Sequence, residues 1–350
     1  MALRFLLALL ILLTLPRPVL SARVGSVTAL KGAVQFRTSG SAPKTPLKSG
    51  AEIAEGNWIV TGADGWAVLT LNDRSTFTLA NNTEFEVTRF LLAPDRREGS
   101  FTMAQGKLRA SVVTLAGRQS GMTVRSGTVV AGVKGTDFMM MTHGHANVLF
   151  GNEGSVGVSG DGTGAEQPLT AGTMTENTRS MTPLEPLKVD AGTPLAEARD
   201  IMQNVTASTP PAEWVDSGKI GDIIARWNIN HGHYLADSGR YSEALQVFRI
   251  ALDLGTLPAI RADARMERGA VFARFLNDPA QALDEYRSLL EEYPEAPQAE
   301  TALYSAAQAL DELGSTKEAI MMFERYLKKY PAGKHSHNVE TLLMRLKNVR

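Results

Sequence analysis

The hydrophobic period of this chain changes once along its length, and no single layer architecture can satisfy both periods. From residue 23 to about 175 the apolar residues alternate or fall in β-rich runs: "WAVLTL" (66–71), "STFTLA" (75–80), "EFEVTRF" (84–90), "KLRASVV" (107–113) and "GMTVRS" (121–126). Clusters of Gly, Asn and Asp such as "TGADG" and "LANNT" separate them, as turns between strands require. Strands that return at short intervals with no helical pattern between them predict an all-β domain over 23–175. From about 218 the apolar spacing becomes helical and stays so to residue 350, which predicts a second, all-α domain. Residues 176–217 between them are rich in Thr, Pro and Gly and read as a linker or strap, with room for one short helix near 194–204.

The helical half is repetitive. "IIARWNINHGHYLADSGRYSEALQVFRIAL", "RMERGAVFARFLNDPAQALDEYRSLLEEYP" and "ALYSAAQALDELGSTKEAIMMFERYLKKYP" align as three units. Ala244, Ala282 and Ala319 form one column, spaced by 38 and 37 residues, and Phe248, Tyr286 and Phe323 form another. Twelve residues before the alanine column stand Gly232, Ala270 and Ala307, small enough to let paired helices pack closely. Pro294 and Pro331 close the second and third units, and the first unit lacks such a proline. Asp278–Pro279 reads as a capping carboxylate before a first-turn proline, and Ser315 with Glu318 reads as a capping box. The final "NVETLLMRLKNV" is amphipathic and is expected to cap the array. The units resemble the tetratricopeptide family, whose repeat is ~34 residues of paired helices. That resemblance implies a concave face that binds peptides or partner proteins; the packing columns by themselves imply only packing.

Three hundred and fifty residues suit about two domains. The net charge of −1 argues against a general nucleic-acid binder, which would carry a basic footprint. Residues 1–22, "MALRFLLALLILLTLPRPVLSA", carry Arg4, an apolar run from Phe5 to Leu13, two prolines and then small residues. This is the layout of a signal peptide, with cleavage after Ser21 or Ala22. Its apolar run is short for a span of ~20 residues, so no transmembrane anchor is expected after cleavage. Removing Arg4 and Arg17 leaves 34 basic and 37 acidic residues, a net charge of −3. The chain has no cysteine, hence no disulfide framework and no lipidated cysteine after the leader. A periplasmic location follows if the source is Gram-negative.

One stretch, "GTVVAGVKGTDF" (127–138), has the glycines of a phosphate loop. A phosphate loop needs lysine directly after its last glycine, then Ser or Thr, and a helix beginning there. Val133 intervenes before Lys134, Gly135 before Thr136, and the following "DFMMMTHGHANVLF" reads as a β-hairpin, so nucleotide binding is not expected. The stretch "MTVRSGTVVAGVKGTDFMM" instead resembles the hallmark of FecR domains at Val133, Gly135, Thr136 and Phe138, with Lys134 in place of the usual Arg. Upstream, Gly56, Ile59, Thr61 and Gly62 resemble the family's Gly-x-x-Ile-x-Thr-Gly segment, and Arg74 replaces the glycine of its Asp-Gly-Ser turn. Downstream, "GNEGSVGV" and "PLTAGTMT" resemble its closing strands. The resemblance implies a twisted β-solenoid-like fold over about 25–175. In that frame Gly132 and Gly135 shape the backbone, Val133 and Phe138 supply core, Thr136 bonds the turn, and Lys134 and Asp137 are exposed. The best-known members of the family restrain sigma factors from a membrane-anchored position, with a cytoplasmic helical domain before the span. The β-domain here directly follows the leader, so only an envelope-side interaction role carries over.

The six histidines form three His-x-His pairs, His143/His145, His231/His233 and His335/His337. They are read respectively at a hairpin tip, in a helix and in a loop. Residues two apart on a helix point roughly 200° apart, and no third ligand stands at zinc spacing, so no metal is expected. No serine lies in a nucleophile elbow and no carboxylate pair is singled out. Trp58 and Trp66 are read as core rather than as sugar platforms. The expectation is a non-enzymatic, exported envelope scaffold or regulator without cofactors, binding envelope proteins of unspecified identity. A peptidoglycan- or glycan-binding module is the alternative.

Overall fold

The computed structural model describes residues 23–117, 119–161 and 166–348; the expected signal peptide, residues 1–22, lies outside the described residues. The β half is built of two facing layers. One runs in the order β4 (Glu52–Ala54), β1 (Arg23–Lys31), β6 (Trp66–Leu71), β7 (Thr76–Leu79), β9 (Arg96–Ser111), β12 (Asp137–His143), β13 (Ala146–Glu153), β16 (Thr173–Thr178), β17 (Leu187–Lys188). The other runs β3 (Thr45–Pro46), β2 (Val34–Arg37), β5 (Trp58–Thr61), β8 (Glu84–Leu92), β9 again, β10 (Gln119–Arg125), β11 (Val129–Val133), β14 (Ser155–Gly160), β15 (Glu166–Thr170). All pairings are antiparallel except β9 with β10.

Strand β9 belongs to both layers. Its residues up to Gln105 pair with β8, and from Gly106 onward it pairs with β12. The change of layer falls on Gly106, at φ +110°, where a Cβ would lie 2.3 Å from Thr83 Oγ1. Only glycine fits that conformation and that approach. Between the layers lies one apolar core, with Phe77 of the first layer 4.6 Å from Phe101 and 5.2 Å from Phe85 of the second, ring centre to ring centre.

Around β12, β13 and β16 the first layer is buried on its other face as well. Met140 points into the inter-sheet core, whereas Met139 and Met141 join Val148, Phe150 and Met174 against the helices. A strand covered on both sides has no polar positions to alternate with, which explains the unbroken "FMMM" run. Covering it are α1 (Pro194–Val205), α2 (Ile220–Asp237) and α3 (Tyr241–Leu254). The array continues through α4 (Pro258–Arg274), α5 (Pro279–Glu292), α6 (Ala299–Glu312), α7 (Thr316–Lys329) and α8 (Ser336–Asn348). Three antiparallel pairs, α2–α3, α4–α5 and α6–α7, are closed by α8, which buries Val339, Leu343 and Leu346.

Within 176–217 the structure places the end of β16, β17, helix α1 and a 3-10 turn, Val215–Gly218. Thr193 caps α1, its hydroxyl accepting from the Ala196 N–H at 3.2 Å. The segment touches both halves: Trp66 Nε1 donates to Ala207 O at 3.2 Å, and Gln246 Nε2 donates to Thr182 O at 2.7 Å.

At the other end of the first layer, Arg74 holds φ +73° in the β6–β7 turn, with its side chain exposed. The left-handed region costs a non-glycine residue roughly 1–2 kcal/mol, and glycine gives back about 0.4–1 kcal/mol through a freer unfolded chain. Arg74→Gly is therefore expected to stabilise by about 0.5–1 kcal/mol, the difference between these two effects. The readout is a higher urea midpoint at unchanged slope; a lower midpoint would mean that the arginine side chain makes a contact worth more than the strain.

Candidate functional site

The segments with FecR-like character lie more than fifty residues apart in sequence and meet around residues 112–114. From one side comes the β6–β7 turn. Asp73 Oδ1 accepts from Ser75 N at 2.9 Å, and Asp73 Oδ2 accepts from Ser75 Oγ at 2.9 Å and from Arg97 Nη1 at 2.7 Å. Both charged side chains are fully buried. Arg97 also donates to Val113 O at 2.8 Å and twice to Ser120 Oγ, from Nε at 3.1 Å and Nη2 at 2.6 Å. Val113 N in turn donates to Ser75 Oγ at 3.2 Å. From the other side comes the 132–138 stretch, where Val112 N donates to Thr136 O at 2.8 Å. Gly135 holds φ +64°, and a Cβ on it would fall 1.9 Å from Thr114 Oγ1, so the turn excludes any larger residue.

Val133 and Phe138 are in the core, and Lys134 is exposed. Gly132 sits mid-strand opposite Gly157 with space for a Cβ, so no steric demand explains it. Two expectations for this stretch need correction. Among the described residues Thr136 Oγ1 is buried without a partner rather than bonding the turn. Asp137 is not a free surface residue: it accepts from Arg109 Nε at 2.9 and 3.0 Å, from Asn152 Nδ2 at 2.7 Å and from Ser111 Oγ. The outer face of β12 lies beside β9 and β13, and their polar residues converge on its first carboxylate. Strand β12, not a helix, follows the glycines, so the cluster offers no phosphate cradle. Its hydrogen bonds lock turns to strands.

In the repeats, Gly232 lies under Phe248, where a Cβ would be 2.5 Å from the ring. Ala244, Ala282, Ala307, Ala319 and Phe323 are fully buried, and Tyr286 nearly so. In the second unit the small residue is Gly269, whose Cβ would lie 2.4 Å from the Tyr286 ring; Ala270 is only half-buried. The displacement has a simple cause. Four residues (275–278) join α4 to α5, with Asn277 at φ +49°, against three (238–240 and 313–315) in the other units. Asp278 caps α5 as expected, accepting from Gln281 N at 3.0 Å. Ser315 makes no side-chain cap, and Glu318 is drawn instead to Arg287 at 3.1 Å, so the capping box does not form.

First helices of successive units are joined by polar pairs: Arg226 with Asp263 at 2.9 Å, His233 Nε2 with Glu267 at 3.0 Å, and Arg345 with Asp311 at 2.5 Å. The histidines therefore act singly. His231 stacks on Trp227 at 4.6 Å, His335 stacks on Tyr304 at 4.2 Å, and His143 and His145 flank the β12–β13 turn. His337 lies in α8 rather than in a loop. Among the described residues no group of three or more His, Cys, Asp or Glu is placed to hold a metal, and no helix is long and apolar enough to cross a membrane. Trp66 is buried and the other three tryptophans are half-buried.

The seam between the halves carries residues that no sequence motif marked. Thr178 Oγ1 donates to Asp253 Oδ2 at 2.6 Å, and Arg179 reaches the same carboxylate at 3.1 and 3.2 Å. Deeper in, Glu176 of β16 accepts from Asn228 Nδ2 of α2 at 3.0 Å. Burial pushes the Glu176 carboxyl up to about 7, only partly offset by the Asn228 hydrogen bond. Lys107, on the same outer face of the first layer, is pushed down to about 8 by burial. Strand alternation places Lys107 and Glu176 on a face that sequence reasoning takes for solvent; the helices that cover it are long-range partners.

Residues 57–157 match the family model described as FecR protein, and residues 229–297 and 273–334 match that of the tetratricopeptide repeat. None of the curated proteins matches the chain. Among solved structures, a protein assigned as an anti-sigma factor from Parabacteroides distasonis ATCC 8503 is similar at 16% identity and TM-score 0.33. The match covers 41% of this chain, and the chain spans 63% of that protein's length. The second TPR domain of human RPAP3, in complex with an HSP70 peptide, is similar at 18% identity and TM-score 0.31, covering 36% of this chain and 98% of that one. The TPR2B domain of yeast Sti1, in a complex with Hsp70, is similar at 14% identity and TM-score 0.32, covering 37% and 99%.

Proposed function

We propose that this chain, a FecR domain joined to tetratricopeptide repeats, is an exported, non-enzymatic scaffold or regulator of the cell envelope that holds a protein partner on its repeats. The observation that carries the reading is the apolar core shared by the first sheet and the first repeat unit. Met139, Met141, Val148 and Phe150 pack into the same cluster as Met202, Ile224, Val247 and Phe248. A partner gripped by an array fused in this way is held at a fixed position relative to the β half, which a tethered array could not do. Both family models are those of regulatory or interaction modules, which supports a role without catalysis. Export rests on the layout of residues 1–22.

Two measurements test this. The amino terminus of the mature protein, sequenced from the envelope fraction, is expected at Ala22 or Arg23; a chain retaining its first residues in the cytoplasm would overturn export. A photo-crosslinking residue at Tyr234, 63% exposed on α2, is expected to capture one discrete protein that the same residue at Arg89 on β8 does not. Equal capture from both positions, or from neither, would remove the repeats as the partner-holding part.

A further inference from the structure

Lys107 is 9% exposed and stands on the outer face of the first sheet, beside Ala80 and opposite Met141. Its backbone is fully paired, but among the described residues its ammonium has neither an ion pair nor a hydrogen bond. An ammonium so enclosed, with no protein partner, draws its polar contact from whatever occupies the space in front of it. The helical half does not seal it off. Between the sheet and the helices lies a cavity of about 440 Å³, with Gly106, Lys107 and Thr142 on one wall and Ser217, Gly218 and Gly221 on the other.

The second wall is the amino end of α2, an eighteen-residue helix that begins without any side-chain cap. Gly218, the last residue of the 3-10 turn leading into it, leaves open space, since a Cβ there would meet nothing within 4 Å, whereas Gly221 of α2 packs against Leu254 O. The acidic residue of that first turn, Asp222, does not answer Lys107. Its carboxylate accepts from Thr256 N at 2.6 Å, Thr256 Oγ1 at 2.7 Å and Leu257 N at 3.3 Å, and so serves the start of α4.

We propose that this cavity binds a small carboxylate, its negative group held between the Lys107 ammonium of the β half and the amino end of α2. Among the described residues Lys107 is the one lysine or arginine on the lining, which also holds His143, the amino end of α2 and the carboxyl end of α3 at Leu254, and a single such charge balances a monoanion better than a phosphate dianion. Met141 and Leu254, which also line the space, suit an apolar body behind the carboxylate. Because each half supplies one element of the site, the ligand tightens the seam between them.

The test is calorimetric titration of the full chain, with thermal denaturation alongside, using benzoate, its neutral analogue benzamide, and inorganic phosphate. Benzoate is expected to bind saturably and raise Tm, and benzamide to do neither. Lys107→Met keeps the stem and removes the buried charge, so it is expected to fold without loss of Tm and to bind benzoate at least tenfold more weakly. Lys107→Gln provides a second variant should the first fail to fold. Equal benzoate affinity in wild type and variant, equal binding of benzamide, or absence of saturation would overturn the site. Lysine-dependent binding of phosphate in preference to benzoate would overturn the assignment to carboxylates.

Discussion

Asp73→Ala is expected to destabilise the β half by about 3–5 kcal/mol, the magnitude for removing one partner of a buried pair. The pair is fully enclosed, and among the described residues Arg97 has no other anion to turn to, its remaining bonds going to Val113 O and Ser120 Oγ. Deleting the carboxylate also strips Ser75 N and Oγ of their acceptor, so the turn loses its closure together with the ion pair. The measurement is equilibrium denaturation in urea. The double variant Asp73→Ala with Arg97→Met separates the two effects, since replacing both charges relieves the uncompensated guanidinium. It is expected to recover stability relative to Asp73→Ala alone. A double variant as unstable as the sum of the two singles would show that the charges act independently. The geometry of the turn would then rest on Ser75, whose hydroxyl also accepts from Val113 N.

The Asp73–Arg97 pair also marks where sequence reading stops. Residues 93–99, "APDRREG", have the composition of a solvent loop, yet β9 begins at Arg96 and buries Arg97, Gly99, Phe101 and Met103 in alternation. Burial along β9 follows the alternation of its residues, not the charge at its start. The change of hydrophobic period, the repeat columns and the hairpin after Gly135 were legible because each is a local pattern. Ala270 was misplaced by one residue because the α4–α5 turn is one residue longer, a length that column spacing alone does not reveal. Lys107 and Glu176 were invisible for a different reason. Period-2 alternation says which residues share a face, not whether helices distant in sequence cover it.

Glu176 yields the second large effect, and its sign follows from burial. Folding lifts its pKa from 4.5 to about 7, so the folded chain holds a proton that the unfolded chain has released across that interval. Stability from this group is full below about pH 4.5, is lost as pH rises toward 7, and stays lost above it. A shift of that size corresponds to about 3 kcal/mol. The geometry agrees: among the described residues Glu176 Oε1 and Asn228 Oδ1 are both buried acceptors without a donor, and a proton on Oε1 directed at Asn228 Oδ1 would turn the first into a donor for the second. Glu176→Gln mimics that protonated form, its amide oxygen accepting from Asn228 and its N–H available to Asn228 Oδ1. The variant is expected to match wild type near pH 4.5 and to exceed it by about 3 kcal/mol at pH 8. Taking the difference between the two proteins at each pH cancels every other titrating group. A difference that does not change between pH 4.5 and 8 would mean that Glu176 is ionised throughout and that its bond to Asn228 suffices to hold a charge there. A growing difference, with faster amide exchange in α2 of the wild type at high pH, would identify the seam as the part of the molecule that loosens. The same seam contains Lys107 and the amino end of α2, so ionisation of Glu176 would act on the interface that also holds the Thr178 and Arg179 bonds to Asp253.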